Sequence, residues 1–309
     1  MILIAPTTSV LDLHYLGVPE TIGPVLLHSD GQLALIDCGP SSCLPDLKSE
    51  LATRGLTVRD LNFILLTHIH LDHAGASGTL VCENPSLKVY VHEIGAPHMA
   101  NPEKLLRSAG RLYGDAMQTM LGEFLPVPPQ NLQILSGGEK LRLAGRDIEV
   151  AYTPGHASHH VSYFDQSTGI AYVGDTTGLR LAKHDFIAPV TPPPDIDLEI
   201  WRASLDEIRR RKPTRVCLTH YGPYAPVEEH LERSWENLCR WSEKVESLLK
   251  DDVNEADRPT NFSAWVAREM SREMPDADVK RYITTSNPVL SWLGLARYWK
   301  KKSEAALAG

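Results

Sequence analysis

Cysteine is scarce in this 309-residue chain, and the five present (Cys38, Cys43, Cys82, Cys217 and Cys239) are odd in number and scattered. That excludes a disulfide-held scaffold and points to reduced, mostly buried thiols. None has a close Cys or His partner at a spacing typical of zinc sites, so thiolate ligation is not expected. No apolar run approaches the length of a membrane-spanning helix, and no membrane association is expected. An excess of positive charge is missing too: 31 basic residues against 39 acidic ones leave a formal charge of -8. Phosphate contacts need Lys and Arg, so this balance argues against a nucleic-acid partner. From Met1 to Ile4 and onward there is no basic stretch followed by an apolar core and a small-residue cleavage site, and a cytoplasmic location is expected. Internal repeats, low-complexity tracts and heptad series are absent as well.

What remains is an ordinary globular composition, 42% hydrophobic and 23% charged, long enough for one large domain plus an appendage. Val25–His28 and Leu33–Ile36 flank the turn signal Ser29-Asp30-Gly31 and read as paired strands. Leu44, Leu47 and Leu51 fall at helical spacing, with Gly55 suited to the helix end. Phe63–Leu66 is a continuous apolar run that fits a buried strand, and Lys88–Val91 repeats the pattern. Residues 97–130 change character: helix formers occupy Leu105–Leu121 and the stretch ends in Pro126-Val127-Pro128-Pro129, which reads as a helical insertion or lid, with a plain scaffold helix as the alternative. Strands resume at Leu132–Leu135, Ile148–Tyr152, Val161–Phe164, Ile170–Val173 and Arg215–Leu218, with an amphipathic helix from Leu198 to Ile208 between the last two. These readings divide the chain into a mixed strand and helix domain over 1–225 and a C-terminal helical extension over 226–309. In the extension, Leu231, Trp235, Leu238, Val245 and Leu249 trace one face of a long helix, followed by helices over Phe262–Met274 and Asp276–Lys302.

The segment Thr67-His68-Ile69-His70-Leu71-Asp72-His73 directly follows the buried strand Phe63–Leu66. Any single one of the 13 histidines is better read as a packed or exposed side chain. Three histidines and an aspartate in one tight loop are not explained by packing; imidazole and carboxylate together suit zinc and similar divalent ions. Three further candidates lie just past strand ends: His156 in Thr153-Pro154-Gly155-His156, Asp175 in Val173-Gly174-Asp175-Thr176, and His220 in Leu218-Thr219-His220-Tyr221-Gly222. Strand ends can converge on one rim, where rigid elements present side chains to a shared cavity.

The order His-x-His-x-Asp-His followed by distant His, Asp and His resembles the metallo-β-lactamase-fold hydrolase superfamily, in particular its glyoxalase II-like dinuclear branch. Leu35-Ile36-Asp37-Cys38-Gly39 matches that superfamily's early Asp-Gly motif, and the resemblance spans roughly residues 10–225 by motif order. It implies an α/β (α+β) chain folded as a four-layer αβ/βα sandwich with metals in a cleft at one edge. Carried over by position, His68, His70 and His156 would hold one divalent ion, and Asp72, His73 and His220 a second. Asp175 would bridge them. Zinc is the first expectation for both ions, iron or manganese the alternatives. Asp37 would orient a ligand histidine from behind, or cap the loop at Gly39-Pro40-Ser41, or both. His159 and His160 are expected behind or beside the ligands, with His160 in the supporting layer; His14, His28, His92, His98, His184 and His230 are assigned no site role.

The resemblance further implies hydrolysis of a carboxylic ester, thioester or lactone by hydroxide generated at the metal pair. Asp72 is expected to serve catalysis as well as coordination. Tyr221 and Tyr224, close after His220, are candidates to donate to the oxyanion, with packing as the competing role. Related activities stay open: β-lactam hydrolysis, though true β-lactamases of the superfamily generally lack an aspartate bridge; glutathione-thioester cleavage, though no glutathione motif is found in the C-terminal helices; and lactonase activity, though Gly178 stands where lactonases of the family resemble one another in a tyrosine. Phosphodiester cleavage, persulfide dioxygenation at a single iron, and a non-catalytic binding protein with a structural metal complete the alternatives. A small-molecule substrate is expected in every enzymatic reading, and a homodimer is compatible with all of them.

Overall fold

The computed structural model describes residues 2–181, 184–252 and 254–308. One sheet runs in chain order through β1 (Ile2–Ala5), β2 (Thr8–Val10), β3 (Val25–Ser29), β4 (Gln32–Ile36), β5 (Phe63–Leu65), β6 (Lys88–His92) and β7 (Leu132–Leu135). The other runs through β8 (Lys140–Leu143), β9 (Arg146–Tyr152), β10 (Val161–Asp165), β11 (Ile170–Tyr172), β12 (Arg215–Leu218) and β13 (Gly222–Tyr224). The hairpin β3–β4 turns at Asp30 and Gly31, both at positive φ (53° and 71°), the geometry a two-residue hairpin loop demands. β4 through β7 pair in parallel, so the chain must cross over between them, and it does so with helices. In the first half these are α1 (Leu44–Ala52), α2 (Leu71–Ala74), α3 (Ser77–Glu83), α4 (Ala96–Ala100), α5 (Glu103–Tyr113) and α6 (Met117–Leu121). In the second half α7 (Leu198–Arg210) connects the parallel pair β11–β12, and α8 (Val227–Lys250), α9 (Arg258–Met270), α10 (Asp276–Ser286) and α11 (Pro288–Ala308) follow β13.

Strand alternation assigns each side chain to a layer. In β4, Leu33 and Leu35 face outward to a core shared with α1 and α3, whereas Ala34 and Ile36 face the second sheet. In β12, Val216 and Leu218 face the helices while Cys217 faces the first sheet. Each fully buried Leu or Ile contributes about 1.5–3 kcal/mol relative to exposure, so a one-residue slip of register would lose several such terms together. The result is a four-layer sandwich, helices outside two facing sheets, with a C-terminal helical region. Trp241, Phe262, Tyr282 and Trp292 of that region join Trp201, Val216 and Leu218 in one continuous core. Among the described residues no helix is long and apolar enough to cross a membrane.

Two features depart from the periodicity reading. Strands β1, β2, β8 and β13 are only three or four residues long, too short for alternation to reveal them. The helix expected over 276–302 is broken: Asn287 adopts φ 42° and Pro288 starts α11. A residue before proline is driven out of helical geometry and proline has no N–H to continue the ladder, so α10 must end there.

Candidate metal centre

Five strands end along one edge of the sandwich, and the residues that follow them meet. Asp37 follows β4, the His68–His73 segment follows β5, His156 follows β9, Asp175 follows β11 and His220 follows β12. His68 Nε2 lies 3.0 Å from His70 Nδ1, and His156 Nε2 lies 3.2 Å and 3.0 Å from the same two atoms. Nitrogens about 2.0–2.1 Å from a tetrahedral zinc stand roughly 3.3 Å apart, so this triangle needs only slight opening to hold a divalent cation. A second cluster forms beside it, with His220 Nε2 3.2 Å from His73 Nε2 and 3.3 Å from Asp72 Oδ2. Asp175 stands between the two. Its Oδ1 is 3.3 Å from His73 Nε2 and 3.7 Å from His220 Nε2, while its Oδ2 is 3.6 Å from His156 Nε2.

The ligand lone pairs are aimed by partners behind them. His73 Nδ1 lies 2.8 Å from Asp37 Oδ2, His156 Nδ1 2.7 Å from the Val190 carbonyl, and His220 Nδ1 2.8 Å from the Thr21 carbonyl. Each acceptor draws the proton to Nδ1 and leaves Nε2 free to face inward. Asp37 is fully buried and also accepts from the Thr67 N–H and from the hydroxyls of Thr67 and Thr219. His160 is buried one layer back: its Nε2 accepts the Asp175 N–H at 3.3 Å, which leaves Nδ1–H to donate to Thr153 or Thr176. Gly174 allows this approach, because a Cβ there would lie 2.6 Å from His160 Nε2 and the residue sits at φ 47°.

Electrostatics divide the two clusters in the metal-free protein. Burial depresses His70 to about 4, with His156 adding to the effect, and burial likewise lowers His68 and His156. Burial would lower His73 and His220 too, but the carboxylates of Asp175 and Asp72 override it and raise both. In turn, despite burial, His73 and His220 hold the Asp72 carboxyl well below the usual carboxylate range. Asp175 Oδ1 is buried with no hydrogen-bond partner. An orphaned carboxylate oxygen is costly, and a cation between the clusters would relieve it. The donor set of imidazoles and carboxylates fits a divalent ion.

Two candidate side chains are not brought to this cleft. Tyr221 is 2% exposed in the core between the sheets, its ring filling the space that Gly23 leaves open. Tyr224 donates its hydroxyl to the Arg180 carbonyl at 2.5 Å and stacks on His230. The physical reason is local: Thr219, His220 and Tyr221 form the turn between β12 and β13, which sends His220 to the rim and Tyr221 back between the sheets. Tyr221→Phe and Tyr224→Phe should each leave kcat/KM within about threefold, while Tyr224→Phe costs about 1 kcal/mol in a denaturation curve for the lost hydrogen bond.

The cleft instead opens into a cavity of about 410 Å³ whose wall includes His70, Asp72 and Asp175 at one end. Side chains that sequence reasoning assigned no site role also line it, among them His98, Tyr113 and Leu290, together with His159, expected behind or beside the ligands. His159 Nδ1 accepts the Ile69 N–H at 3.4 Å, so its proton sits on Nε2, and the ring lies 5.6 Å from that of His70. The only signal for His159 was its nearness to His156; for Leu290 it was the Asn287-Pro288 break.

Comparison with known proteins agrees with this geometry. A family profile described as the metallo-beta-lactamase superfamily matches residues 24–220. A metallo-beta-lactamase fold-containing protein of Sulfurisphaera tokodaii is 28% identical over 220 residues, covering 70% of this chain and 79% of that one. A hydroxyacylglutathione hydrolase of Synechococcus is 26% identical over 151 residues, 49% of this chain and 47% of that one. The crystal structure of a metallo-beta-lactamase family protein from Thermus thermophilus superposes with a TM-score of 0.74 at 23% identity, covering 97% of this chain and 95% of its own.

Proposed function

Because the chain belongs to the metallo-beta-lactamase superfamily, we propose that it is a metal-dependent hydrolase that cleaves a carboxylic ester, thioester or lactone of a small-molecule substrate with two divalent ions. Zinc is the first choice of metal, iron or manganese the alternatives. The observation that carries this reading is Asp175, which turns Oδ1 toward His73 and His220 and Oδ2 toward His156. His68, His70 and His156 would hold one ion, Asp72, His73 and His220 the other, with Asp175 shared. Such a pair supplies Lewis acidity toward a carbonyl oxygen and brings water within reach of ionisation near neutral pH.

The protein's own contribution is orientation. Asp37, Val190 and Thr21 hold three imidazoles with Nδ1 outward and Nε2 inward, so no ring has to turn as ions bind. His159 offers an Nε2–H beside His70, a fixed donor for an oxygen of the substrate. The remote ends of the cleft exclude water through apolar side chains of α5 and α11.

The two clusters differ in proton occupancy, and this yields a pH prediction. Burial depresses His68, His70 and His156, whereas the Asp175 and Asp72 carboxylates raise His73 and His220, which therefore hold their protons to higher pH. Protons therefore compete more strongly at the second cluster. The second equivalent of zinc should tighten by about tenfold per pH unit for each proton displaced, the first far less. Calorimetric titrations at pH 6 and pH 8 measure both; equal pH dependence of the two equivalents would contradict the assignment.

Function is tested by an activity screen of metal-reconstituted protein against thioesters, lactones, simple esters, β-lactams and phosphodiesters at matched concentrations. Turnover of an acyl bond that disappears on chelation and returns with zinc is expected. Turnover that survives rigorous chelation, or is confined to phosphodiesters, would overturn the reading.

A further inference from the structure

We infer that the cavity beside the metal centre is an acyl-chain pocket, and that the preferred substrate carries a linear apolar acyl group rather than a polyanionic carrier. This rests on the reading of the centre as an acyl-bond hydrolase and specifies its substrate class. The cavity begins at His70, Asp72 and Asp175 and extends between Leu105, Ala109 and Leu112 of α5 and Leu290 of α11. Ile94 and Val190 close its sides. A chain attached to a carbonyl at the ligands would meet these hydrocarbon side chains, with His98, Ser108, Tyr113 and Asn287 as polar neighbours on the same wall.

The charges on the wall support the same conclusion. Apart from the ligand carboxylates, the charged side chains among the described lining residues are Lys104 and Asp195. Asp195 is engaged with Ser158, accepting from its hydroxyl at 2.6 Å and its N–H at 3.3 Å. A carrier with two carboxylates or several phosphates needs an array of fixed cations, usually arginines in a fork. One exposed lysine on a flexible stem does not supply that. At the α10–α11 corner Thr285 donates to the Arg281 carbonyl at 2.9 Å, Asn287 Oδ1 accepts the Leu290 N–H at 3.4 Å, and the hydroxyls of Ser286 and Ser291 are buried without a partner.

Each methylene moved from water onto such a wall should raise kcat/KM by about fourfold until the pocket is full. The test uses zinc-reconstituted full-length protein and p-nitrophenyl esters from acetyl to decanoyl, beside calorimetric binding of uncharged 2-alkanones of matching length to the metal-free protein. A rise of at least about a hundredfold in kcat/KM from acetyl to octanoyl is expected, with a parallel trend in ketone affinity. Leu112→Lys should flatten both series while metal content per chain stays at the parental value. If that variant fails to fold, Leu290→Gln reports on the opposite wall. Ketone affinity that climbs with length while no ester is cleaved sustains the pocket and refutes the hydrolase reading. Esters cleaved with no dependence on chain length in either assay sustain the hydrolase reading and overturn the pocket.

Discussion

Asp175→Asn should lower kcat/KM by roughly a thousandfold and reduce bound metal from about two ions per chain to about one, with the fold retained. The expectation follows from the position of one carboxylate between two clusters. Its Oδ1 faces His73 and His220, its Oδ2 faces His156, and Oδ1 has no other partner. An amide keeps the shape but offers one oxygen and one NH2, and the NH2 cannot ligate. Whichever way it turns, one cluster loses its oxygen ligand and the other keeps only a neutral one. What remains is three imidazoles in the first cluster and two imidazoles with Asp72 in the second. With no shared carboxylate between them, one of the two ions should be lost. Elemental analysis after dialysis, steady-state kinetics and the circular dichroism of the chelated variant check the three parts separately. A variant that keeps two ions and works within tenfold of the parent would remove Asp175 from the bridging position. One that fails to fold would make its role structural.

Much of this centre is legible along the chain, for a definite reason. A strand is short and stiff, so a residue just beyond its end is held close to where the strand delivers it. His68 to His73 after β5, His156 after β9, Asp175 after β11 and His220 after β12 are all delivered in this way. Density of ligating types did the rest, since no packing argument accounts for His-x-His-x-Asp-His. The neighbours of those residues are harder. Tyr221 is one position from a ligand and points away from it, because the two residues share the turn between β12 and β13. His159 is three positions from a ligand and lines the cavity, set there by the turn that follows His156. Local dihedrals of this kind leave little trace in composition. The cavity walls are harder still. The apolar face of α5 is plain from Leu105, Leu106, Ala109 and Tyr113, but periodicity does not tell which of these touch core and which touch a ligand space. That depends on where α11 is set relative to the cavity, and so on the break at Asn287. The Asn-Pro pair marks the break locally; the packing it permits, with Gly294 pressed so closely on Thr191 that a Cβ would lie 2.0 Å from its carbonyl oxygen, is set by the whole chain.

Replacing Asp37 should be the most damaging change outside the ligand set, and its two substitutions should fail differently. Asp37→Ala removes the acceptor for the Thr67 N–H, the Thr67 and Thr219 hydroxyls and His73 Nδ1, all inside a fully buried site. Donors left unpaired in the interior carry their full desolvation cost, so the chelated protein should lose about 3–5 kcal/mol of stability. Asp37→Asn keeps the size and one acceptor. Its NH2, however, must face either the Thr67 N–H or His73 Nδ1–H, donor against donor. Thr67 is a backbone donor and cannot yield, whereas His73 can shift its proton from Nδ1 to Nε2 and accept instead. That tautomer turns an N–H toward the second cluster where a lone pair is required. Asp37→Asn should therefore fold nearly as well as the parent yet bind the second ion about 10–100-fold more weakly, the effect typical of losing a partner behind a ligand. Urea denaturation of the chelated proteins and metal titration of the native ones separate the two outcomes. The ¹⁵N shifts of His73 report the tautomer directly. If the two variants lose stability alike and His73 keeps its proton on Nδ1 in both, Asp37 is a packing residue, and the order of the second cluster has another source.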